Sequence, residues 1–175
     1  MSIKTIFLDR DGVINKEINY LYKIDDLEFI EGVFEACLYF LNLNYRIIII
    51  SNQSGIGRGY FTENEYHKLT QWILDQFDNK GVTILDSFYC PHSPESLCNC
   101  RKPRPGMFLN ARDKHNITMR DSWMIGDSES DISAANMAGI SNTILVRSGH
   151  LIDELNSNAK FILDSIKQSK EVIKT

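Results

Sequence analysis

No stretch of this 175-residue sequence stays apolar for the ~18 residues that a membrane-spanning helix needs. A basic stripe is missing as well, since the net charge is −4 and the isoelectric point is near 5.6. These two absences argue against a membrane protein and against nucleic acid as the partner. The segment Met1–Lys4 leads directly into a predicted strand, so we expect no signal peptide and a cytoplasmic protein.

Internal repeats, low-complexity tracts and a linker between domains are also missing from the sequence. A hydrophobic content of 43% over 175 residues is enough to bury a core of ordinary size. We therefore expect a single domain over residues 1–175. The sequence shows no sustained heptad and no long apolar surface stripe, so we expect a monomer.

Cysteine is scarce, with four residues, and in a reducing cytosol such residues favour metal binding over disulfides. Cys37 lies on the apolar face of a predicted helix and is expected in the core. The other three form the pattern Cys90-x-His92-x5-Cys98-x-Cys100. One imidazole and three thiolates match a closed, tetrahedral structural zinc site, with incidental loop cysteines as the alternative. The intervening residues have almost nothing apolar to bury, so bound zinc would supply their order.

Apolar runs and helical periodicities alternate along the chain. This alternation predicts an α/β fold of three layers, Rossmann-like, with a mostly parallel sheet covered by helices on both faces. The predicted strands are 3–8, 46–50, 87–89, 122–125, 142–146 and a short edge strand at 161–163. The predicted helices are 32–43, 62–80, 107–115, 132–138 and a last helix capped by Ser165. These elements nearly fill the chain between the motifs described next, so no separate cap domain fits.

Polar side chains follow four of the predicted strands. Asp9 and Asp11 come directly after the first strand, and the next three strands lead to Ser51, Lys102 and Asp127. Because the carboxyl ends of parallel strands share one edge of a sheet, we expect these groups to converge. Carboxylate and hydroxyl oxygens suit Mg²⁺, and a lysine neutralises charge on a phosphoryl group. The pattern therefore indicates a magnesium and phosphoryl site, with a solvated Asp-x-Asp turn as the alternative.

The run Asp9-Arg10-Asp11-Gly12, the Ser51–Gly55 turn, Lys102 and Gly126-Asp127 resemble the four motifs of the haloacid dehalogenase (HAD) superfamily. The closer similarity is to its heptose 1,7-bisphosphate phosphatases and the related histidinol-phosphate phosphatases. This resemblance implies a HAD-like fold and a Mg²⁺-dependent phosphatase that acts through an aspartyl-phosphate. The implied reaction removes the C7 phosphate of D-glycero-D-manno-heptose 1,7-bisphosphate, for nucleotide-activated heptose and bacterial surface glycans. Histidinol phosphate is the alternative substrate.

The resemblance also implies a role for each motif residue. Asp9 is the expected nucleophile, and Asp11 is expected to protonate the leaving alkoxide and then deprotonate the attacking water. Ser51 and Lys102 are expected to hold phosphoryl oxygens. The residues expected to ligate Mg²⁺ are Asp9, Asp11 through its backbone carbonyl, and Asp127. Asp131 lies one helical turn further, where we expect a supporting role behind the ligands or at the helix N-terminus.

Small loops are expected to shape the pocket for a small sugar phosphate. They are the segment Glu17–Tyr20, the Gly55–Gly59 turn and the zinc loop, residues 90–103. Arg101 ends the zinc loop and is our candidate for binding a second phosphate, because a guanidinium binds phosphate in a bidentate fork. A solvated surface arginine is the alternative. The full set of expected substrate contacts is Glu17, Ile18, Asn19, Tyr20, Ser51, Asn52, Gln53, Ser54, Arg58, Arg101 and Lys102.

Some features leave other interpretations open. Ser128 follows the metal aspartate where many heptose bisphosphate phosphatases have a lysine, which weakens the substrate assignment. His67, His115 and His150 belong to no motif and are expected at the surface or the rim of the core. A phospho-receiver signalling domain also combines clustered aspartates, a hydroxyl, a lysine and Mg²⁺, but it needs no zinc loop. A zinc-organised binding module without catalysis is a further alternative.

Overall fold

The computed structural model describes residues 3–174, which form one six-stranded sheet with parallel pairing throughout. The strand order is β3-β2-β1-β4-β5-β6. The strands are β1 (Thr5–Leu8), β2 (Arg46–Asn52), β3 (Asp86–Cys90), β4 (Trp123–Gly126), β5 (Asn142–Val146) and β6 (Phe161–Leu163). The helices are α1 (Val33–Asn42), α2 (Ser54–Gly57), α3 (Glu63–Asn79), α4 (Gly106–His115) and α5 (Glu129–Met137). Short 3₁₀ helices occur at Ile24–Asp26, Met119–Asp121, Glu154–Asn156 and Ile166–Glu171.

Helices cover both faces of the sheet, which confirms the predicted three-layer α/β fold. The isoleucine run of β2 is buried on both faces of the sheet, since Ile47 and Ile49 face one core, and Ile48 and Ile50 face the other. Strands buried on both faces read as continuous apolar runs rather than as alternating patterns. The first core also contains α1 and α3, including the buried Cys37, and the second contains α4 and α5.

Local signals account for several helix ends. Thr62 Oγ1 accepts from the Glu65 backbone N–H at 3.1 Å, and the Glu65 carboxylate accepts from the Thr62 N–H at 2.8 Å. This is the predicted capping box at the start of α3. Gly139 follows α5 with φ +92°, the left-handed conformation expected there.

Apart from shifts of one or two residues at element ends and three unpredicted 3₁₀ helices, the structure differs from the predicted elements in three places. The helix α5 begins at Glu129 rather than at 132, because Ser128 and Asp131 form a capping box at its start. The short helix α2 was not predicted. The last predicted helix, capped by Ser165, is the 3₁₀ helix Ile166–Glu171.

The topology places β1 between β2 and β4, so the loop after β1 lies at the centre of the carboxyl edge. In residues 3–174 the helices and strands above take up the chain between the motifs, and these residues form no separate cap domain, as predicted. None of the helices in residues 3–174 is long and apolar enough to cross a bilayer.

Candidate active site

A cavity of about 340 Å³ opens at the carboxyl edge of the sheet. Its walls come from the loop after β1, the turn after β2, the end of the zinc loop, and the loops after β4 and β5. The lining residues are Asp9, Asp11, Glu17, Ile18, Asn19, Tyr20, Leu21, Asn52, Gln53, Ser54, Arg101, Lys102, Asp127, Ser128, Ser130, Asp131 and His150. The structure therefore brings together Asp9, Asp11, Lys102 and Asp127, as the strand-end pattern predicts.

Lys102 lies between two carboxylates at the base of the cavity. Its Nζ is 3.0 Å from Asp9 Oδ1 and 2.6 Å from Asp131 Oδ1, and it donates to the Ile50 carbonyl at 2.8 Å. The side chain of Lys102 is only 2% exposed. Burial acts to lower the pKa of Lys102, but Asp131 and Asp9 outweigh it and raise the pKa above its ordinary value. The ammonium group therefore stays charged at neutral pH.

The surroundings of Asp9 favour its neutral form over its carboxylate. Burial raises the pKa of this carboxyl well above its ordinary value, and Asp131 and Asp127 raise it further. Lys102 acts in the opposite direction. A further cation beside the three carboxylates would favour their ionised forms.

The three carboxylates fit a magnesium ion. Asp9, Asp127 and Asp131 each offer one oxygen, and these atoms all lie within 4.8 Å of one another. Hard oxygen donors of this kind are the ligands that Mg²⁺ takes in proteins. Asp131 is already engaged, since its Oδ2 accepts from the N–H groups of Asp127 and Ser128, both at 3.1 Å. It therefore orders the loop after β4 and pairs with Lys102.

His150 holds Asp127 from the loop after β5. The Asp127 Oδ2 accepts from the His150 backbone N–H at 2.9 Å and lies 2.6 Å from the ring Nδ1. Burial raises the pKa of Asp127, Asp131 raises it further, and His150 opposes both. His150 is exposed, as expected, but the sequence analysis did not place it in the site: it lines the cavity because the loop after β5 turns over it. Side chains that follow parallel strands converge at one edge of the sheet, and applying this argument to the fifth strand would have found His150.

The other two motif-free histidines lie outside the cavity. His67 Nε2 is 3.3 Å from the Tyr89 hydroxyl, and His115 Nε2 is 2.6 Å from Asp86 Oδ2. Both contacts tie neighbouring elements together away from the carboxylate cluster.

Three buried side chains hold the Asp11 carboxylate. Arg10 Nη2 lies 2.9 Å from Oδ1 and 3.0 Å from Oδ2 of Asp11. Asn15 Nδ2 donates to Oδ1 at 3.0 Å, and Gln53 Nε2 donates to Oδ2 at 3.1 Å. Gln53, expected as a substrate contact, therefore also supports the carboxylate expected to transfer protons.

The turn after β2 supports the cavity from beneath. Ser51 is fully buried and does not line the cavity, and its Oγ accepts from Gln53 Nε2 at 2.6 Å. Asn52 accepts from the Lys102 N–H at 3.0 Å and donates to the Lys102 carbonyl at 3.1 Å. The Asn52 side chain therefore fixes the backbone that carries the lysine.

The two arginines expected in the site lie in different places. Arg101 lines the cavity, and its Nη1 is buried without a hydrogen-bond partner in the described structure. Arg58 does not line the cavity: it follows α2, and its Nη2 lies 3.9 Å from Glu95 on the zinc loop. The prediction of Arg58 as a substrate contact gains no support, because its side chain turns toward that loop.

The segment Glu17–Tyr20 forms one wall, as expected for a substrate loop. Burial raises the pKa of Glu17 to about 7, with Asp11 as the next cause. Tyr20 adopts φ +59°, and its ring packs edge-on against Tyr60 with centroids 4.5 Å apart. The remaining wall residues include Ser128 and Ser130, whose Oγ atoms lie 2.7 Å apart.

The cysteine–histidine cluster is assembled beside the cavity. Its four donor atoms all lie within 4.8 Å of one another. The Cys90 Sγ lies 3.4 Å from His92 Nδ1, 3.7 Å from Cys98 Sγ and 3.2 Å from Cys100 Sγ. Burial acts to raise the pKa of Cys98, but the Arg101 backbone N–H and the neighbouring cysteines lower it to about 6. Burial raises the pKa of Cys90 and Cys100 instead, so the fit to zinc rests on the donor set of one imidazole and three sulfur atoms.

Known proteins resemble the chain in both sequence and structure. The HAD-hydrolase-like family model matches residues 99–169. A D-glycero-alpha-D-manno-heptose-1,7-bisphosphate 7-phosphatase of Photorhabdus laumondii is 48% identical over 90% of each chain. A D-glycero-beta-D-manno-heptose-1,7-bisphosphate 7-phosphatase of Vibrio cholerae is 45% identical over 95% of this chain and 94% of its own.

Among solved structures, the D,D-heptose 1,7-bisphosphate phosphatase from B. bronchiseptica, complexed with magnesium and phosphate, superimposes with a TM-score of 0.85. It is 26% identical, and the match covers 97% of both chains. The sequence relatives match nearly end to end at identities well above those of chance similarity. The chain therefore belongs to the heptose-1,7-bisphosphate 7-phosphatase family of HAD-like phosphoric monoester hydrolases.

Proposed function

We propose that this protein is a Mg²⁺-dependent phosphatase that removes the C7 phosphate of D-glycero-D-manno-heptose 1,7-bisphosphate. The observation that carries the proposal is the buried cluster of Asp9, Asp127 and Asp131 around Lys102, in a chain whose relatives are named for this reaction. Relatives of similar identity are named for the alpha and the beta anomer, so both anomers belong in the assay.

Asp9 is the nucleophile in this proposal. One of its carboxylate oxygens attacks phosphorus, the bond from phosphorus to the C7 oxygen breaks, and the electron pair stays on that oxygen. Asp11 gives its proton to the leaving oxygen. Water then attacks the phosphorus of the aspartyl-phosphate and loses a proton to Asp11, which releases inorganic phosphate and restores Asp9. Lys102 holds phosphoryl oxygens as charge develops on them. Ser51, which was expected to share this role, is fully buried outside the cavity and supports Gln53 instead.

Asp9, Asp127 and the Asp11 backbone carbonyl would hold Mg²⁺. A bound Mg²⁺ would balance the carboxylates and screen the approach of a phosphate dianion to Asp9. The raised pKa of Asp9 supports this assignment, because burial and Asp131 raise it despite the neighbouring lysine, and a further cation would favour the ionised form.

Arg101 is the proposed contact for the phosphate that stays on the sugar. It lines the cavity next to Lys102, and its Nη1 is buried without a protein partner in the described structure. A buried guanidinium nitrogen of this kind gains most from an anionic ligand, since an unpaired buried donor costs free energy.

Zinc bound by Cys90, His92, Cys98 and Cys100 has a structural role in this proposal. All four donors come from the protein, which leaves no open position for substrate. A single residue, Arg101, separates Cys100 from Lys102, so an ordered zinc loop fixes the lysine that faces Asp9.

Phosphate release from a substrate panel tests the proposed function. We expect the highest kcat/KM with one anomer of heptose 1,7-bisphosphate, a much lower value with histidinol phosphate, and loss of turnover in EDTA. Faster turnover of histidinol phosphate would contradict the substrate assignment. A stable phosphoryl group on Asp9 without turnover would instead support the signalling alternative, and no phosphorylation at all would support a binding module.

The Arg101→Ala variant tests the second phosphate contact. We expect KM for the bisphosphate to rise by about tenfold or more, while histidinol phosphate, which has no second phosphate, is little affected. Arg120→Ala, at an exposed arginine remote from the cavity, is the matched control. Equal losses on both substrates would contradict the assigned role of Arg101.

A further inference from the structure

Arg10 lies between the two catalytic carboxylates of the proposed function, yet none of the steps above uses it. Its side chain is 3% exposed, and that of Asp11 is 18% exposed. The guanidinium meets the Asp11 carboxylate through Nη2 at 2.9 Å and 3.0 Å and through Nε at 3.2 Å. A long cationic side chain buried to this extent, against one carboxylate, restricts the rotation of that carboxylate.

Arg10 is itself held in place. Its Nη2 also donates to the Leu21 carbonyl at 3.2 Å, and its guanidinium lies 5.9 Å from the centre of the Tyr66 ring. Leu21 lines the cavity directly after the substrate loop Glu17–Tyr20. The position of the guanidinium is therefore tied to the loop that forms the cavity wall.

Two neutral amides complete the contacts of Asp11. Asn15 is fully buried and Gln53 is 4% exposed, and each donates one hydrogen bond to a different carboxylate oxygen. The same Gln53 nitrogen donates to Ser51 Oγ at 2.6 Å. Both oxygens of Asp11 are thus oriented by donors from the loop after β1 and from the end of β2.

We propose that Arg10, supported by Asn15 and Gln53, is a positioning residue that aims Asp11 at the leaving oxygen of the substrate. This inference rests on the proposed function, in which Asp11 passes its proton to that oxygen as the phosphorus–oxygen bond breaks. A carboxylate free to rotate would spend less time at the hydrogen-bond distance that proton transfer needs.

A comparison of leaving groups separates positioning from a merely structural role. An alkoxide leaving group needs the proton of Asp11, whereas 4-nitrophenolate leaves without one. The kcat/KM value reports only the steps up to release of the alcohol, so the later role of Asp11 with water does not affect it. Loss of correct positioning must therefore lower kcat/KM for the sugar phosphate and spare the aryl phosphate.

The experiment compares Arg10→Met with the unmodified protein on heptose 1,7-bisphosphate and on 4-nitrophenyl phosphate, with Mg²⁺ present. We expect kcat/KM to fall by roughly 100-fold on the sugar phosphate and by at most about threefold on the aryl phosphate. Arg10→Lys keeps the positive charge but loses the forked guanidinium. Its kcat/KM on the sugar phosphate should therefore lie between that of the unmodified protein and that of Arg10→Met. Arg112→Met is the matched control, since Arg112 pairs with the next residue, Asp113, at 2.8 Å on the surface.

A double variant gives a second, independent measurement. If Arg10 acts through Asp11, then adding Arg10→Met to Asp11→Asn lowers kcat/KM for the sugar phosphate little further. Equal losses on both esters, no loss on either, or additive effects in the double variant would overturn the proposal. If Arg10→Met does not fold, Gln53→Met and Arg10→Lys provide the test instead. For each variant, the loss of kcat/KM on the sugar phosphate is compared with the loss on the aryl phosphate.

Failure of the proposed function is distinguishable from failure of this inference. If the unmodified protein does not hydrolyse heptose bisphosphate, the substrate assignment fails, and histidinol phosphate then serves as the alkyl ester in the same comparison. The ratio between alkyl and aryl esters still shows whether Arg10 positions Asp11.

Discussion

At the scale of single residues, Asp9 shows most directly how function and stability conflict. Its carboxylate is buried among like charges, and burial followed by Asp131 raises its pKa well above the ordinary value. A carboxyl whose pKa is raised on folding costs stability as the pH rises above its ordinary, unfolded value, and the full cost is present above the raised, folded value. Asp9, the proposed nucleophile, therefore destabilises the metal-free protein at neutral pH.

Asp9→Asn should consequently raise the thermal midpoint of the protein in EDTA, because it removes a carboxylate that is buried among like charges. Lys102 keeps Asp131 as its ion-pair partner in this variant. The same change should lower phosphatase activity by ~10³-fold or more, since an amide is a poor nucleophile. Thermal scans with and without Mg²⁺ check this, and Mg²⁺ should stabilise the unmodified protein more than the variant. A lower midpoint of Asp9→Asn in EDTA would contradict the argument.

Sequence reasoning reached the cluster residues because each follows a strand, and parallel strands end at one edge. It missed His150 because the rule was applied to four strands and not to the fifth. It placed Arg58 in the site because a glycine-rich turn does not reveal where an adjacent long side chain points. The contacts of Arg10 could not be predicted either, since they depend on the path of the loop that brings Leu21 back to β1.

At the scale of elements, the zinc loop connects β3 to α4 and carries Lys102. Asn52 holds the Lys102 backbone from one side, and the cysteine–histidine cluster ends two residues earlier. The sequence predicted the cluster because four soft ligands lie in a segment without apolar residues. It could not predict the contact of Asn52, because that contact joins residues 50 positions apart.

Cys98→Ser should remove zinc from the purified protein and lower kcat by roughly 100-fold, because small displacements of Lys102 misplace the phosphoryl group. Atomic emission measures the metal content, and phosphate release measures the activity. Cys37→Ala is the control, since Cys37 is a core residue of α1 and should leave the zinc content unchanged. A zinc-free Cys98→Ser protein with full activity would separate the loop from catalysis.

At the scale of the whole molecule, acid stability depends partly on the contact between β3 and α4. Asp86 Oδ2 lies 2.7 Å from Lys114 Nζ and 2.6 Å from His115 Nε2. Burial acts to raise the pKa of Asp86, but its hydrogen bonds with Lys114 and His115 outweigh this and lower it below 3.8. The contribution of Asp86 to stability is therefore present above pH 3.8 and is lost as the pH falls through the lower, folded value.

Asp86→Asn should lower the free energy of unfolding by about 1–3 kcal/mol at pH 7, the range for hydrogen bonds to charged groups. The difference from the unmodified protein should shrink below pH 3.8. Urea unfolding at pH 7 and at the lower pH measures the difference between the variant and the unmodified protein in each condition. Asp25→Asn, on an exposed 3₁₀ helix, is the control. A deficit that does not change with pH would show that packing, rather than charge, accounts for the loss.

The strand order has a consequence for synthesis of the protein. The proposed nucleophile, Asp9, follows β1, but β1 acquires its second neighbour only when β4, Trp123–Gly126, has been made. On the ribosome, Asp9 is therefore among the first functional groups to emerge, while its partners Asp127 and Asp131 are among the last. A nascent chain cannot hydrolyse phosphate esters until most of its length has been translated.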